Sequence, residues 1–380
     1  MNVLTAAQSL LAVVAVSVLS FASFRLHAWR AAKAPPKRAM SRIRRALGVG
    51  LPLTAIVAIF ALLLADALGL TDAALETVSP ALADSAIGAM LVWMPTLVGA
   101  ILTVIAGYLG AFPYICEIRE VDVSARDAAV RFGRVLAVSA GLFAVTVGAF
   151  LSLLGGALTS ALSIVGFVAA IAALTLVFQP KLVAVSRTTR ELTDAERERL
   201  DRLTERAGLS ARATTVVEMG GDRTATVMLA GLPGRRHLFV TDYLLDEFDD
   251  DAVASVLASK TGRAKRYYRE YKLAVVLAAL GLVVGTLSGD IGTLADLSTP
   301  EFLAVFSGVM VALAWFGKRL LLSADEYAVE RVGAGTFAET LEALADEHQV
   351  SYDTGRVRNL VLMAPSLGSR LDRIRSQSGD

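Results

Sequence analysis

The stretch DDDAVASVLASKTGRAKR, Asp249 to Arg266, decides how the chain is read. Three acids open it and Arg263, Lys265 and Arg266 close it, the arrangement that opposes both ends of a helix dipole. Val253, Val256 and Leu257 recur at helical spacing, so one face of this helix is expected in a core. One turn further lie Ser259, Lys260, Thr261, Gly262 and Arg263. Lys260 and Arg263 are three residues apart, so their side chains emerge close together. An apolar helix face that ends in two adjacent cations needs either solvent or partners for those charges.

The surroundings are membranous. Hydrophobic residues make up 55% of the chain, and mean hydropathy is +0.57, beyond what an ordinary soluble protein carries. The formal net charge is +1, which gives no basis for nucleic-acid binding. Cys116 is the single cysteine, so neither an intrachain disulfide nor a cysteine-rich metal site is available. His27, His237 and His348 are too far apart in sequence to form a two-histidine motif on one helix turn.

Seven runs reach or approach spanning length: Val3 to Phe24, Leu51 to Leu70, Ile87 to Tyr114, Val135 to Leu154, Leu162 to Phe178, Leu273 to Leu287 and Phe302 to Leu322. Positive charge follows the first run, from Arg25 through Arg45, where a cleaved signal would carry it beforehand. Pro35 and Pro36 break that basic loop, and a short basic helix on the membrane surface is expected after them. The segment from Thr71 to Ser85 carries Asp72, Glu76 and Asp84 with no base, as an external loop does, and so does the one with Asp290, Asp296 and Glu301. Gly155 and Gly156 are expected to turn the fourth run into the fifth. Every basic-rich loop falls on one side, which predicts an integral cell-membrane protein with its N-terminus outside and its C-terminus cytoplasmic. Charge inside the runs is nearly absent. Asp66 sits at a helix end, so an ion-coupled transporter is disfavoured.

Between the runs lies a polar segment of α+β character. Thr193 and Glu196 make a capping box for a helix from Asp194 to Ala207, ended by Gly208. Strands are expected at Thr214 to Met219, Ala225 to Leu229 and Leu238 to Thr241, with a turn at Gly231 to Gly234. The central helix is expected to run from Asp250 through Tyr271 and on into the sixth run. Helices at Ser323 to Val332, at Thr336 onward with Glu339 as capping partner, and at Leu367 to Ile374 follow the seventh. The resulting division is a membrane domain of five spans at 1–178, a cytoplasmic domain at 179–272, two spans at 273–322, and C-terminal cytoplasmic helices at 323–380. The fold class is thus a membrane α-helical protein of about seven spans with a small α+β cytoplasmic domain.

This order of elements resembles the integral-membrane zinc metallopeptidases of the CAAX prenyl protease and HtpX type, over roughly Arg190 to Arg375. Thr241-Asp242-Tyr243-Leu244-Leu245 looks like the family's passage from strand to helix, and Asp250 to Ala258 like the approach to its His-Glu-x-x-His motif. Glu326-Tyr327-Ala328-Val329-Glu330 looks like the distal glutamate motif, with Glu326 in the ligand position. Ala364-Pro365 through Arg370 is similar to a His-Pro segment followed by an arginine, with the histidine replaced. Thr224 and Ala225 fall where the family places its substrate-binding strand. The resemblance implies zinc and proteolysis. The residues depart from it at the decisive positions: Ser259 and Arg263 replace the two histidines and Lys260 replaces the glutamate base. Imidazoles and a carboxylate hold zinc and activate its water, whereas a lysine and an arginine repel the ion.

The expectation is therefore a pseudopeptidase without zinc. Its partners would be the lipid bilayer and membrane-protein or peptide clients, or an active paralogue, with no nucleic acid. An active peptidase acting through another site and a transporter or channel remain as alternatives. For the two cations, one expectation is an ion-pair bridge from Lys260 and Arg263 to Glu326 and Glu330, replacing the metal. The other is a solvated basic face, with Lys265, Arg266 and Arg269 as membrane-side anchors and Tyr267, Tyr268 and Tyr271 as interfacial aromatics.

Overall fold

The computed structural model describes residues 2–83, 85–153, 160–219, 222–290, 297–353, 355, 359 and 363–377. The turn expected at Gly155 and Gly156, and the loop acids Asp84 and Asp296, lie outside them. The chain divides into two compact units, one formed mainly by Met1–Leu154 and the other by Gly155–Ala184, Thr188–Met219 and Arg223–Asp380.

The first unit is helical. Its members are α1 (Asn2–Ala32), α2 (Pro36–Leu64), α3 (Ala67–Val78), α4 (Pro80–Ala83), α5 (Ala86–Arg119) and α6 (Ala125–Leu153). The short basic helix expected after Pro35 is instead the first part of α2, because Pro36 suits the first turn of a helix and nothing interrupts the chain before Leu64. The segment expected as an external loop is helical over most of its length, in α3 and α4. Asp66 closes the gap between α2 and α3 in a left-handed conformation, outside both helix interiors. Phe24, Ala28, Ile43, Leu51, Val104 and Ala111 form the unit's core. There α1 and α5 touch backbone to backbone: a β-carbon on Gly110 would collide with the carbonyl oxygen of Phe21. Away from that seam, Leu10, Leu11, Phe60 and Leu64 are all more than 60% exposed, which in so apolar a helix marks a lipid-facing surface.

Among the described residues six helices are long and apolar enough to cross a membrane: four lie at 3–32, 36–64, 87–119 and 125–150, the fifth is Ala161–Ser186 and the sixth Thr299–Val332. The sixth expected run lies in α11, below, whose first five residues include Arg269, Glu270 and Lys272.

The second unit holds α7 (Ala161–Ser186), α8 (Asp194–Arg206), α9 (Asp242–Glu247), α10 (Asp250–Lys265), α11 (Tyr268–Leu287), α12 (Thr299–Val332), α13 (Ala334–Glu347) and α14 (Leu367–Ser376). It also holds four strands, β1 (Thr189–Arg190), β2 (Ala213–Val217), β3 (Val227–Ala230) and β4 (His237–Thr241), in the order β1-β2-β4-β3. β2 runs parallel to β4 with Val216 opposite Val240, and β3 pairs antiparallel to β4 with Met228 opposite Phe239. The capping box at Thr193 and Glu196 is formed. Thr336 caps nothing: it lies inside α13, where its carbonyl accepts the Thr340 hydroxyl, and Gly333 takes the cap position.

One apolar core, built from Leu200, Leu203, Val216, Val240, Leu244, Val253, Leu257, Ala328, Phe337 and Leu371, joins the sheet to α8, α10, α12, α13 and α14. Asp249 caps α10, its carboxylate accepting from the Ala252 amide at 2.8 Å. The expected continuous central helix breaks at Tyr267, whose φ of 51° is left-handed. The break seats the next two side chains. The Tyr268 hydroxyl donates to the Met363 carbonyl at 3.1 Å, and Arg269 donates to the carbonyls of Leu229 and Gly231 and to the Gln179 side chain. α12, by contrast, carries the seventh expected run and the helix after it without interruption.

Candidate functional site

The site lies where α10 and α12 meet. Gly262 permits that meeting, because a β-carbon there would run into the carbonyl oxygen of Ala324. On α10, Val253 through Ser259, with Thr261 and Gly262, are buried. On α12 the buried residues are Ala314, Gly317, Leu321, Ala324, Asp325, Ala328 and Val332, a stripe at helical spacing. One of those positions is an aspartate.

Asp325 is 3% exposed. Arg370, at the start of α14, holds it through two bonds, from Nε at 2.7 Å and from Nη2 at 2.8 Å. This is the bidentate geometry in which an arginine and a carboxylate pair most strongly. The next residue, Glu326, leaves the stripe: its side chain is 40% exposed and pairs with Arg373 at 2.5 Å. Glu330 is exposed as well.

Ser259, Lys260 and Arg263 therefore face a different neighbourhood from the one expected. Among the described residues no ion pair joins Lys260 or Arg263 to Glu326 or Glu330, because both glutamates lie off the buried stripe of α12. Burial, and after it the repulsion of Arg263, pushes the Lys260 ammonium down to about 8. Among the described residues no carboxylate offsets either effect. Burial lowers Arg263 too; Arg370 repels it further, while Asp325 attracts it. The Nε of Arg263 is buried without a hydrogen-bond acceptor. The other basic residues of the segment find partners. Lys265 donates to the Tyr327 hydroxyl at 3.0 Å, and Arg269 is held by the carbonyls described above. Tyr268 is buried, and the Tyr271 hydroxyl donates to the Leu313 carbonyl at 2.6 Å. Packing inside the protein therefore places these residues, whereas Arg266 and Tyr267 stay exposed.

Thr224 and Ala225 precede β3, the last strand of the sheet. The Ala225 amide donates to His348 Nε2 at 3.1 Å. Further along that edge the Gly231 amide donates to Gln179 and the Leu229 carbonyl accepts from Arg269. The backbone that a substrate strand would use is engaged at these points. Sequence reasoning missed Asp325 and its tie to Arg370. The signal was present, since Asp325 lies on the Leu321–Ala324–Ala328–Val332 stripe and Glu326 does not.

No family model matches the chain, and no curated protein does. Among solved structures, the crystal structure of S. mikatae Ste24p superposes with a TM-score of 0.66 over 96% of this chain and 98% of that one, at 13% sequence identity. The chain has the Ste24p fold. The likeness is one of architecture, so the chemistry must be argued from this chain's own side chains. Zinc, which the sequence resemblance implies, calls for imidazole, thiolate or carboxylate ligands. The positions that the resemblance assigns to zinc carry a hydroxyl, an ammonium and a guanidinium, at Ser259, Lys260 and Arg263, and Asp325 is already paired with Arg370. Among the described residues no three His, Cys, Asp or Glu side chains come together. This donor set does not fit the ion.

Proposed function

We infer that the protein is a pseudopeptidase: a membrane protein with the architecture of the zinc metallopeptidases that binds rather than cleaves. The carrying observation is the pair of half-buried cations, Lys260 and Arg263, at the positions that the resemblance assigns to the catalytic base and a metal ligand. An ammonium cannot take a proton from water until it has lost its own, and a guanidinium stays protonated throughout the working range of proteins. Two adjacent positive charges also oppose the approach of a divalent cation.

In this reading there are seven spans. The N-terminus is outside, the α+β domain and C-terminus are cytoplasmic, and the bound partner is a membrane protein or peptide segment. The positive-inside distribution supports that orientation. The fifth run, assigned to the membrane domain by sequence, belongs to the same compact unit as the sheet. Metal analysis of the full-length chain purified in detergent, together with a cleavage assay on casein and on a prenylated peptide, tests the reading. The expected result is zinc well below one ion per chain and no metal-dependent cleavage. Stoichiometric zinc, or cleavage abolished by a chelator and by Glu326→Ala, overturns it.

A further inference from the structure

The α10–α12 contact carries an imbalance of charge. Lys260, Arg263 and Arg370 are cations, and among the described residues Asp325 is the acid paired within this cluster. Arg370 consumes that acid. Buried charges without partners are costly to a fold, and an anion that enters beside them recovers part of the cost. The cluster also contains its own template for the missing ligand. Arg370 holds a planar carboxylate through its Nε and Nη2 edge, while Arg263 has that same Nε buried with no acceptor.

We propose that Lys260 and Arg263 form a binding site for a carboxylate brought from outside the chain, by a small acid or by a peptide. The Arg263 guanidinium donates to the two oxygens and the Lys260 ammonium, one turn away on the same helix, adds a third charge-assisted bond. This rests on the pseudopeptidase reading, since a zinc ion at these positions would exclude the cations' role. Within that reading it names what the site recognises: the anionic group of a client replaces the metal. Nothing is cleaved. A planar carboxylate is favoured over a tetrahedral phosphate by the neighbouring precedent, since Arg370 already holds the carboxylate of Asp325 through its Nε and Nη2 edge.

The experiment uses the full-length chain in detergent near neutral pH, where Lys260 is charged. Its thermal midpoint is followed against sodium acetate, sodium phosphate and sodium chloride at matched ionic strength. A saturable rise with acetate, absent with chloride, is expected. Lys260→Met removes the unbalanced charge, so it raises the midpoint without acetate and abolishes the acetate increment, while Lys260→Arg retains the increment. An acetate response that is absent, matched by chloride or retained in Lys260→Met overturns the site. So does a Lys260→Met chain that is less stable or fails to fold, since the lysine would then be held by the protein itself. A response to phosphate alone overturns the carboxylate assignment. A short peptide with a free C-terminus, set against its C-terminal amide, separates the sources: a peptide source predicts that only the free acid competes with acetate, and a small-acid source that neither does. Zinc measured on the same sample keeps the two ideas distinct. A zinc-loaded chain sinks the pseudopeptidase reading whatever acetate does, and a zinc-free chain blind to acetate sinks the carboxylate site alone.

Discussion

Two charge clusters flank the contact of α10 with α12 and are built in opposite ways: one joins α12 to α14, the other lies on α10 alone. At the first, Asp325 and Arg370 are buried and matched, one carboxylate to one guanidinium, with both oxygens bonded. At the second, Lys260 and Arg263 lie half-buried one turn apart, and among the described residues no carboxylate forms an ion pair with either. Evolution of a structural interior removes such mismatches or pairs them, since each unpaired buried ion costs several kcal/mol. A mismatch next to a complete pair indicates that the fold can satisfy a buried charge here and that the second cluster is held for something else.

The difference is breakable at its balanced end first. Asp325→Ala should cost about 3–5 kcal/mol, because it strands Arg370 and removes an acid that attracts Arg263. A fall of that size in unfolding free energy of the solubilised chain is the expected reading. Asp325→Leu combined with Arg370→Leu should recover most of it, because an apolar pair replaces a matched ionic pair at little net loss. Equal losses in the single and double variants would mean that the pair stabilises nothing.

At the unbalanced end the sign reverses. The folded state lowers the Lys260 pKa to about 8, so between that pH and the ordinary lysine value the unfolded chain binds more protons than the folded one. Stability attributable to Lys260 must therefore rise with pH over this window, by at most about 3 kcal/mol, and be at its poorest below about pH 8. The measurement is the difference between the wild-type and Lys260→Met pH profiles, which removes every other titrating group. A flat difference would mean that Lys260 is solvated. Smaller again is Gly262→Ala, which presses a methyl group on the Ala324 carbonyl and parts α10 from α12, the helices of Lys260, Arg263 and Asp325. A loss of about 1–3 kcal/mol is expected. Both charge effects should shrink with it, read as a weakened Asp325→Ala penalty in the Gly262→Ala background.

Much of this was legible in the chain. The apolar runs, the capping box at Thr193 and the strands all rest on local pattern, and local pattern survives folding. The central helix was misread at Tyr267 because no glycine or proline announces the break. Its cause is remote, in the Met363, Leu229 and Gly231 carbonyls that Tyr268 and Arg269 reach. The acidic segment after Asp66 was taken for a loop because charge was read ahead of helical spacing. The ion-pair bridge failed by one residue. Matching by motif chose Glu326, whereas the periodicity of α12 chooses Asp325, and a shift of one position on a helix turns a side chain by about 100°. What no sequence pattern carries is which of several nearby arginines reaches which acid. Arg370 and Arg373, both on α14, divide Asp325 and Glu326 between them.

That division sets the smallest expected effect. Glu326 and Arg373 form an ion pair whose side chains are 40% and 49% exposed, so solvent screens it and its contribution should be about 0–1 kcal/mol. A double-mutant cycle between Lys260→Met and Glu326→Gln should accordingly show additive free energies, with a coupling below about 0.5 kcal/mol, as for groups without a shared partner. A cycle between Glu326→Gln and Arg373→Gln should show the small coupling of a surface pair, falling with added salt. Coupling of several kcal/mol between Lys260 and Glu326 would restore the bridge, place Glu326 back in the buried contact, and leave no free cation for a carboxylate to meet. The two clusters would then be built alike, and their contrast would lose its functional meaning.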